Sequence, residues 1–225
     1  KLNPVFPKLN VLSCNLVPEN AKYFRLGFRI SGKGICEIKE IRIGLSHDLE
    51  ELSCFLSRSN VLVLSNNYPS PQSLYRNMFV HKRVMAYKED KLVCDVMRMN
   101  IFCKNGYEEF EGINVIEGQA DRLANILDMG SIDTVCVHFL DKNMWNVLKC
   151  YREKIRIIVW LHGAEIQPWW RREYNYTTEE ELNRAKEETE ERQAFWKSIF
   201  EEIDKYNIHF VFVSQYFANI VFEDY

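Results

Sequence analysis

Three side chains carry most of the chemistry this sequence offers near neutral pH: His138, His162 and Glu165. Imidazole is the one side chain whose ordinary pKa lies in that range, so it serves as donor, acceptor or proton carrier. His138 closes the run Thr134-Val135-Cys136-Val137, and His162 closes Ile157-Ile158-Val159-Trp160-Leu161. A continuous apolar run bounded by a glycine reads as a strand buried on both faces. In open α/β sheets the ligand crevice lies just outside the carboxyl ends of such strands. Gly163 carries no Cβ and leaves room for a ligand to approach the backbone. Two readings follow: both imidazoles face one crevice, with Glu165 and the Asn66–Tyr68 loop on the same space, or each is a satisfied structural histidine.

Other chemistries fit poorly. The five histidines, His47, His81, His138, His162 and His209, show no H-x-x-x-H spacing, so no metal is expected. No G-x-S-x-G elbow marks a hydrolase. The turn after the first buried strand, Ser65-Asn66-Asn67-Tyr68-Pro69-Ser70-Pro71, has no glycine. The dinucleotide fingerprint is therefore missing, and no nicotinamide or flavin cofactor is expected. Asn66 and Asn67 tolerate the left-handed region and could still make a sharp turn. A helix expected from Ser73 would aim free N–H groups at the crevice, suiting a diphosphate; the plainer reading is an ordinary βα connection. Trp169 and Trp170, with Tyr174 and Tyr176, could stack on sugar rings or pack their loop onto the sheet, and packing is favoured for any one of them.

The elements that would position these residues begin at Val61. Val61–Ser65 reads as a buried strand, followed by a helix from Ser73 to about Lys88 with Leu74, Met78, Val80, Val84 and Tyr87 inward. Lys91–Met97 is a strand, Asn105–Gly112 an acidic, aromatic turn region, and Ile113–Ile116 a short strand. Ala120–Met129 is a helix stopped by Gly130, Thr134–Leu140 a strand, and Asn143–Glu153 a helix. After the His162 strand, Thr177 to Glu181 holds overlapping T-x-x-E capping boxes that open a long helix. Ile208–Ser214 and Tyr216–Phe222 complete the series. The order β-α-β-β-α-β-α-β-α-β-α predicts an α/β fold: a doubly wound, Rossmann-like parallel sheet.

The first 57 residues differ in texture. Phe24, Leu26, Phe28 and Ile30 alternate with Arg25, Gly27 and Arg29, and Ile41, Ile43 and Leu45 mark a second strand after the Ser31–Gly34 turn. This short antiparallel segment reads as the tail of an upstream β-sandwich-like module, resting against the sheet of 58–225 rather than joining it. The 225 residues are 47% apolar and 13% aromatic, enough for a sizeable core. A net charge of −3 with no basic patch argues against nucleic acid. No apolar run approaches the length of a membrane span. The seven cysteines, Cys14, Cys36, Cys54, Cys94, Cys103, Cys136 and Cys150, form no C-x-x-C pair and read as reduced thiols of a cytoplasmic protein. With no initiating Met and an end at Tyr225, the chain reads as a piece of something longer.

From about residue 60 to 225, roughly three-quarters of its length, the chain resembles the N-terminal, acceptor-side domain of GT-B-fold glycosyltransferases of family four. The resemblance rests on the order and spacing of VLVLSNNYP, LYRNMFVHKRVMAYK, VHFLD, WLHGAE and FVFVSQYFANI. It implies a retaining transfer of a sugar from a nucleotide-sugar to a glycan or lipid-linked acceptor, in polysaccharide or glycoconjugate synthesis, without a required metal. It places the loop Asn66 to Pro71 near the donor diphosphate and His162 beside the transferred sugar. NNYPSP stands where the family has a glycine-rich loop. The family's nucleotide site lies mostly in a second domain that this chain lacks, so the fragment alone is expected to be inactive, and peripheral membrane association is left open for the full-length protein. Two alternatives stay open: a non-catalytic carbohydrate- or partner-binding module, and a GT-B isomerase acting on nucleotide-sugars.

Overall fold

The computed structural model describes residues 59–225; the expected β segment before residue 58 lies outside them. Six parallel strands form the body of one sheet: β1 (Val61–Ser65), β2 (Asp95–Met99), β4 (Ile113–Gly118), β5 (Thr134–His138), β6 (Arg156–Leu161) and β7 (Ile208–Phe212). A further strand, β3 (Gly106–Phe110), runs antiparallel on the β4 edge. The order β3-β4-β2-β1-β5-β6-β7 winds outward in both directions from β1. Counting only parallel strands it is the 3-2-1-4-5-6 order of Rossmann-type sheets, whose crevice opens where the winding reverses, between β1 and β5.

The strands alternate between two cores, as the two-residue period of a strand requires. Leu62 and Leu64 of β1 face a large cluster built with Leu123 and Ile126 of α2 (Ala120–Asp128), Met144 and Leu148 of α3 (Lys142–Tyr151), Trp196 and Ile199 of α4 (Glu179–Phe200), and Phe217 of α5 (Gln215–Asp224). Val61 and Val63 face a smaller cluster with Val80 and Val84 of α1 (Met78–Glu89), together with Val96, Cys136 and Trp160. His138 and Trp160 lie at paired positions of β5 and β6, beside Ser65 of β1, so these side chains share one level of the sheet.

Three expectations are corrected. The helix after β1 starts at Met78 rather than Ser73. Ser73 cannot cap it, because Ser73 and Ser70 exchange backbone hydrogen bonds in a local bridge (3.0 and 3.2 Å). Leu74, placed on the inner stripe, is accordingly half exposed. The stretch Asn105 to Gly112 is not a turn region: Gly106–Phe110 is strand β3, joined to β4 through Glu111-Gly112, both with positive φ (+47° and +74°). That is the geometry of a type I′ hairpin, in which Asn-Gly or Asp-Gly is the usual signal and Glu-Gly is easily passed over. The second strand begins at Asp95 rather than Lys91.

Two helix boundaries follow their sequence signals, while α3 (Lys142–Tyr151) stops two residues before the expected Glu153 and α5 (Gln215–Asp224) runs two residues past the expected Phe222. Gly130 stops α2 with φ +71°. Thr178 and Glu181 form the reciprocal capping box of α4. Among the described residues, no helix is long and apolar enough to cross a membrane.

Candidate functional site at the carboxyl ends of β1, β5 and β6

The β1–α1 loop is held by amide side chains. Asn77 adopts the left-handed conformation (φ 52°) just before α1, and its Nδ2 donates to Ser65 Oγ (3.2 Å), Asn66 Oδ1 (3.0 Å) and the Asn67 carbonyl (3.1 Å). Asn100, just beyond β2, donates to the Asn66 carbonyl at 2.8 Å. The loop is thus fixed by side chains instead of by glycine, which is how this turn dispenses with a G-x-G-x-x-G pattern. Tyr68 points into the core: it is fully buried, and its hydroxyl meets His81 Nδ1 at 2.8 Å. His81 Nε2 in turn lies 3.0 Å from Glu111 Oε2 on the β3–β4 hairpin. Burial pushes the Tyr68 phenol far above its usual range, so it stays a hydroxyl.

At the ends of β5 and β6 the two histidines meet. His138 Nδ1 lies 3.0 Å from His162 Nε2, and the rings stack with centroids 5.2 Å apart. His138 is fully buried against Trp160, 5.0 Å away. His162 is half-buried, with Phe139 stacked on it at 4.6 Å and Phe79 of α1 at 4.8 Å. Phe139 adopts φ +58°, a conformation that costs a non-glycine residue about 1–3 kcal/mol and clusters at functional sites. Arg83, one helical turn beyond Phe79, lies over Trp160 at 5.2 Å. Burial first, then His162 and Arg83, hold His138 down to about 3. Burial and then Arg83 hold His162 down to about 4. Both imidazoles are therefore neutral at pH 7.

Glu165 folds back onto the same segment. Its Oε1 accepts the His162 backbone N–H at 2.5 Å, while Oε2 is buried without a hydrogen-bond partner. Burial pushes the carboxyl up, against the pull of the His162, Glu165 and Gly163 N–H groups and the charge of Arg172. Gly163 has φ +127°, and it is this angle that calls for glycine; a Cβ there would meet only Gln167, at an ordinary 3.5 Å. Beside Glu165 lies a groove of about 310 Å³, walled by Asn66, Phe139, Leu140, Asp141, Lys142, Ala164, Glu165 and Phe195. Asp141 caps α3 by accepting from Met144 N–H at 2.8 Å.

Of the residues singled out in the sequence, His138, His162, Gly163, Glu165, Asn66 and Asn67 gather at this mouth. Tyr68 contributes its backbone, with its ring turned into the core. Trp169 packs on α4, where its backbone N–H donates to Thr189 Oγ1 (2.9 Å) and Lys186 lies over its ring at 5.1 Å. Trp170 is exposed and touches Trp169 edge-on. Neither joins the ring cluster around His162. Phe79, Arg83, Asn77, Asn100 and Phe139 went unnoticed in the sequence; only the i, i+4 spacing of Phe79 and Arg83 on one helix face could have signalled a pair. Among the described residues no group of three or more His, Cys, Asp or Glu side chains could hold a metal ion. No protein-family model matches this chain, and no curated protein matches it in sequence.

Proposed function

We propose that this chain is the acceptor-side half of a retaining glycosyltransferase, which moves a sugar from a nucleotide-sugar to a glycan or lipid-linked acceptor at the cytoplasmic side of the cell. The observation that carries this reading is the neutral imidazole of His162, held by His138 on its ring and by Glu165 on its backbone, at the carboxyl end of β6, one strand away from the switch point between β1 and β5. The adjoining groove has the lining a sugar needs. Phe139 and Phe195 offer aromatic faces to C–H surfaces, and Asn66 offers an amide to a hydroxyl.

In a retaining transfer the leaving diphosphate gathers negative charge while the sugar becomes oxocarbenium-like. Preorganised neutral dipoles at the site of developing charge stabilise that state without reorganisation. His162 fits such a role better than that of a general base, because a group held down to about 4 is a weak proton acceptor at neutral pH.

The test is turnover by the intact protein with nucleotide-sugars that differ in nucleotide and in sugar, offered with glycan and lipid-linked acceptors. Transfer with retained anomeric configuration is expected. Saturable carbohydrate binding without turnover would make this a binding module instead, and conversion of the nucleotide-sugar without an acceptor would make it an isomerase.

A further inference from the structure

The surroundings of the buried histidine fix the proton on its exposed neighbour. The hydrogen bond between His138 Nδ1 and His162 Nε2 needs one proton, carried by one nitrogen or the other. Suppose His162 Nε2 carries it. His138 Nδ1 is then bare, and a neutral ring must place its own proton on Nε2, which is buried with no hydrogen-bond partner. Suppose instead that His138 Nδ1 carries it. His138 Nε2 is then a bare lone pair.

The neighbours decide between the two. The indole of Trp160 stacks on His138, and its Nε1–H is buried and unpartnered. The Arg83 guanidinium lies over that indole, and its Nε–H is also buried and unpartnered. Both are donors, and one is a fixed cation. Ser65, beside His138 in the sheet, already takes the Asn77 amide on its hydroxyl oxygen. A lone pair is favoured next to donors and a positive charge. An N–H there would find no acceptor among the described residues, and the nearby Arg83 charge would oppose its positive end.

We propose that His138 is a positioning residue: its Nδ1–H donates to His162 Nε2 and locks His162 as the Nδ1–H tautomer. His162 then presents a hydrogen-bond donor, and no basic nitrogen, to an oxygen of the ligand. His162 Nδ1 makes no hydrogen bond among the described residues, so that donor is available. The nature of the ligand rests on the glycosyl-transfer reading; the tautomer does not.

The experiment is a long-range proton–nitrogen correlation spectrum of the intact chain labelled with 15N-histidine at pH 7, which separates protonated from bare ring nitrogens. Both His138 and His162 are expected with Nδ1 protonated and Nε2 bare; a protonated His162 Nε2 overturns the proposal. Two variants extend the test. His138→Asn keeps an N–H donor near the Nδ1 position and is expected to preserve both the His162 tautomer and kcat to within about threefold. His138→Phe keeps a ring but has no donor; His162 should become a tautomer mixture, and kcat should fall by about 10- to 100-fold, the size of effect seen when the group orienting a metal-bound histidine is lost. An unchanged tautomer and kcat in His138→Phe also overturns it. Should His138→Phe fail to fold, the parent spectrum and His138→Asn decide alone. A parent protein that transfers no sugar but shows the expected tautomer sinks the glycosyl-transfer reading and leaves the positioning role standing.

Discussion

Replacing Asp95 by Asn should stabilise the protein at alkaline pH and leave it unchanged or weaker in acid. Asp95 opens β2 at the amino-terminal end of the sheet, opposite the candidate site. Its Oδ2 is buried without a partner, and burial pushes its carboxyl from 3.8 up to about 7, with one opposing hydrogen bond from the Ser59 backbone. Because the folded pKa lies above the unfolded one, the native state binds more protons between roughly pH 4 and 7. Stability from this group is therefore lost as pH rises through that window. A displacement of that size costs the native state about 4 kcal/mol once Asp95 is ionised. Asparagine removes that penalty but buries an amide N–H, which gives back about 1–3 kcal/mol. The net expectation is a gain of about 1–3 kcal/mol at pH 8 and no gain at pH 4. His138 and His162 titrate with the opposite sign, their depressed pKa values making stability rise with pH up to the ordinary histidine range. The assay is thus the difference between variant and parent in urea denaturation at each pH, in which the histidines cancel. A difference that stays flat from pH 4 to 8 would refute the reasoning.

Two further substitutions probe the frame of the site. Trp196 is fully buried and donates its indole N–H to the Glu165 carbonyl at 2.8 Å. Trp196→Phe should cost about 2–4 kcal/mol through the orphaned carbonyl and the lost ring volume, seen as a lower urea midpoint at constant slope, and should raise KM for the proposed sugar transfer by loosening the Glu165 segment. At Gly118 a Cβ would come within 2.8 Å of Arg122 Cβ and 2.9 Å of Asn105 Oδ1, so Gly118→Ala should lower stability by about 1–3 kcal/mol; an unchanged melting temperature would mean the β4–α2 junction yields more easily than this packing implies.

The parallel sheet was legible because its central strands β1, β5 and β6 are near-continuous apolar runs, with few polar positions to blur the signal. β5 and β6 are such strands; β5 ends on His138, and β6 stops at Leu161, one residue before His162. Glu165 was legible by proximity alone. What escaped depends on contacts that sequence spacing does not encode. The delayed start of α1 follows from the Ser70–Ser73 bridge and from three bonds made by one Asn77 amide. The β3 hairpin was hidden because its turn places Glu111 where Asn or Asp is the familiar signal. Phe139 became part of the site through a positive φ that no pattern of apolar residues announces. The inward turn of Tyr68 follows from a partner, His81, on another element.

His162 is the side chain on which the proposed transfer most directly depends. In the intact protein, sugar transfer by His162→Ala should be slower by about 10²-fold or more, the usual effect of losing a single donor at a site of developing charge. The melting temperature should stay near that of the parent, since the ring is only half-buried and Glu165 holds the backbone of this residue rather than its side chain. Turnover equal to the parent's, with the fold intact, would contradict the proposed role. So would loss of the fold, which would make this imidazole a packing group at the sheet's carboxyl end.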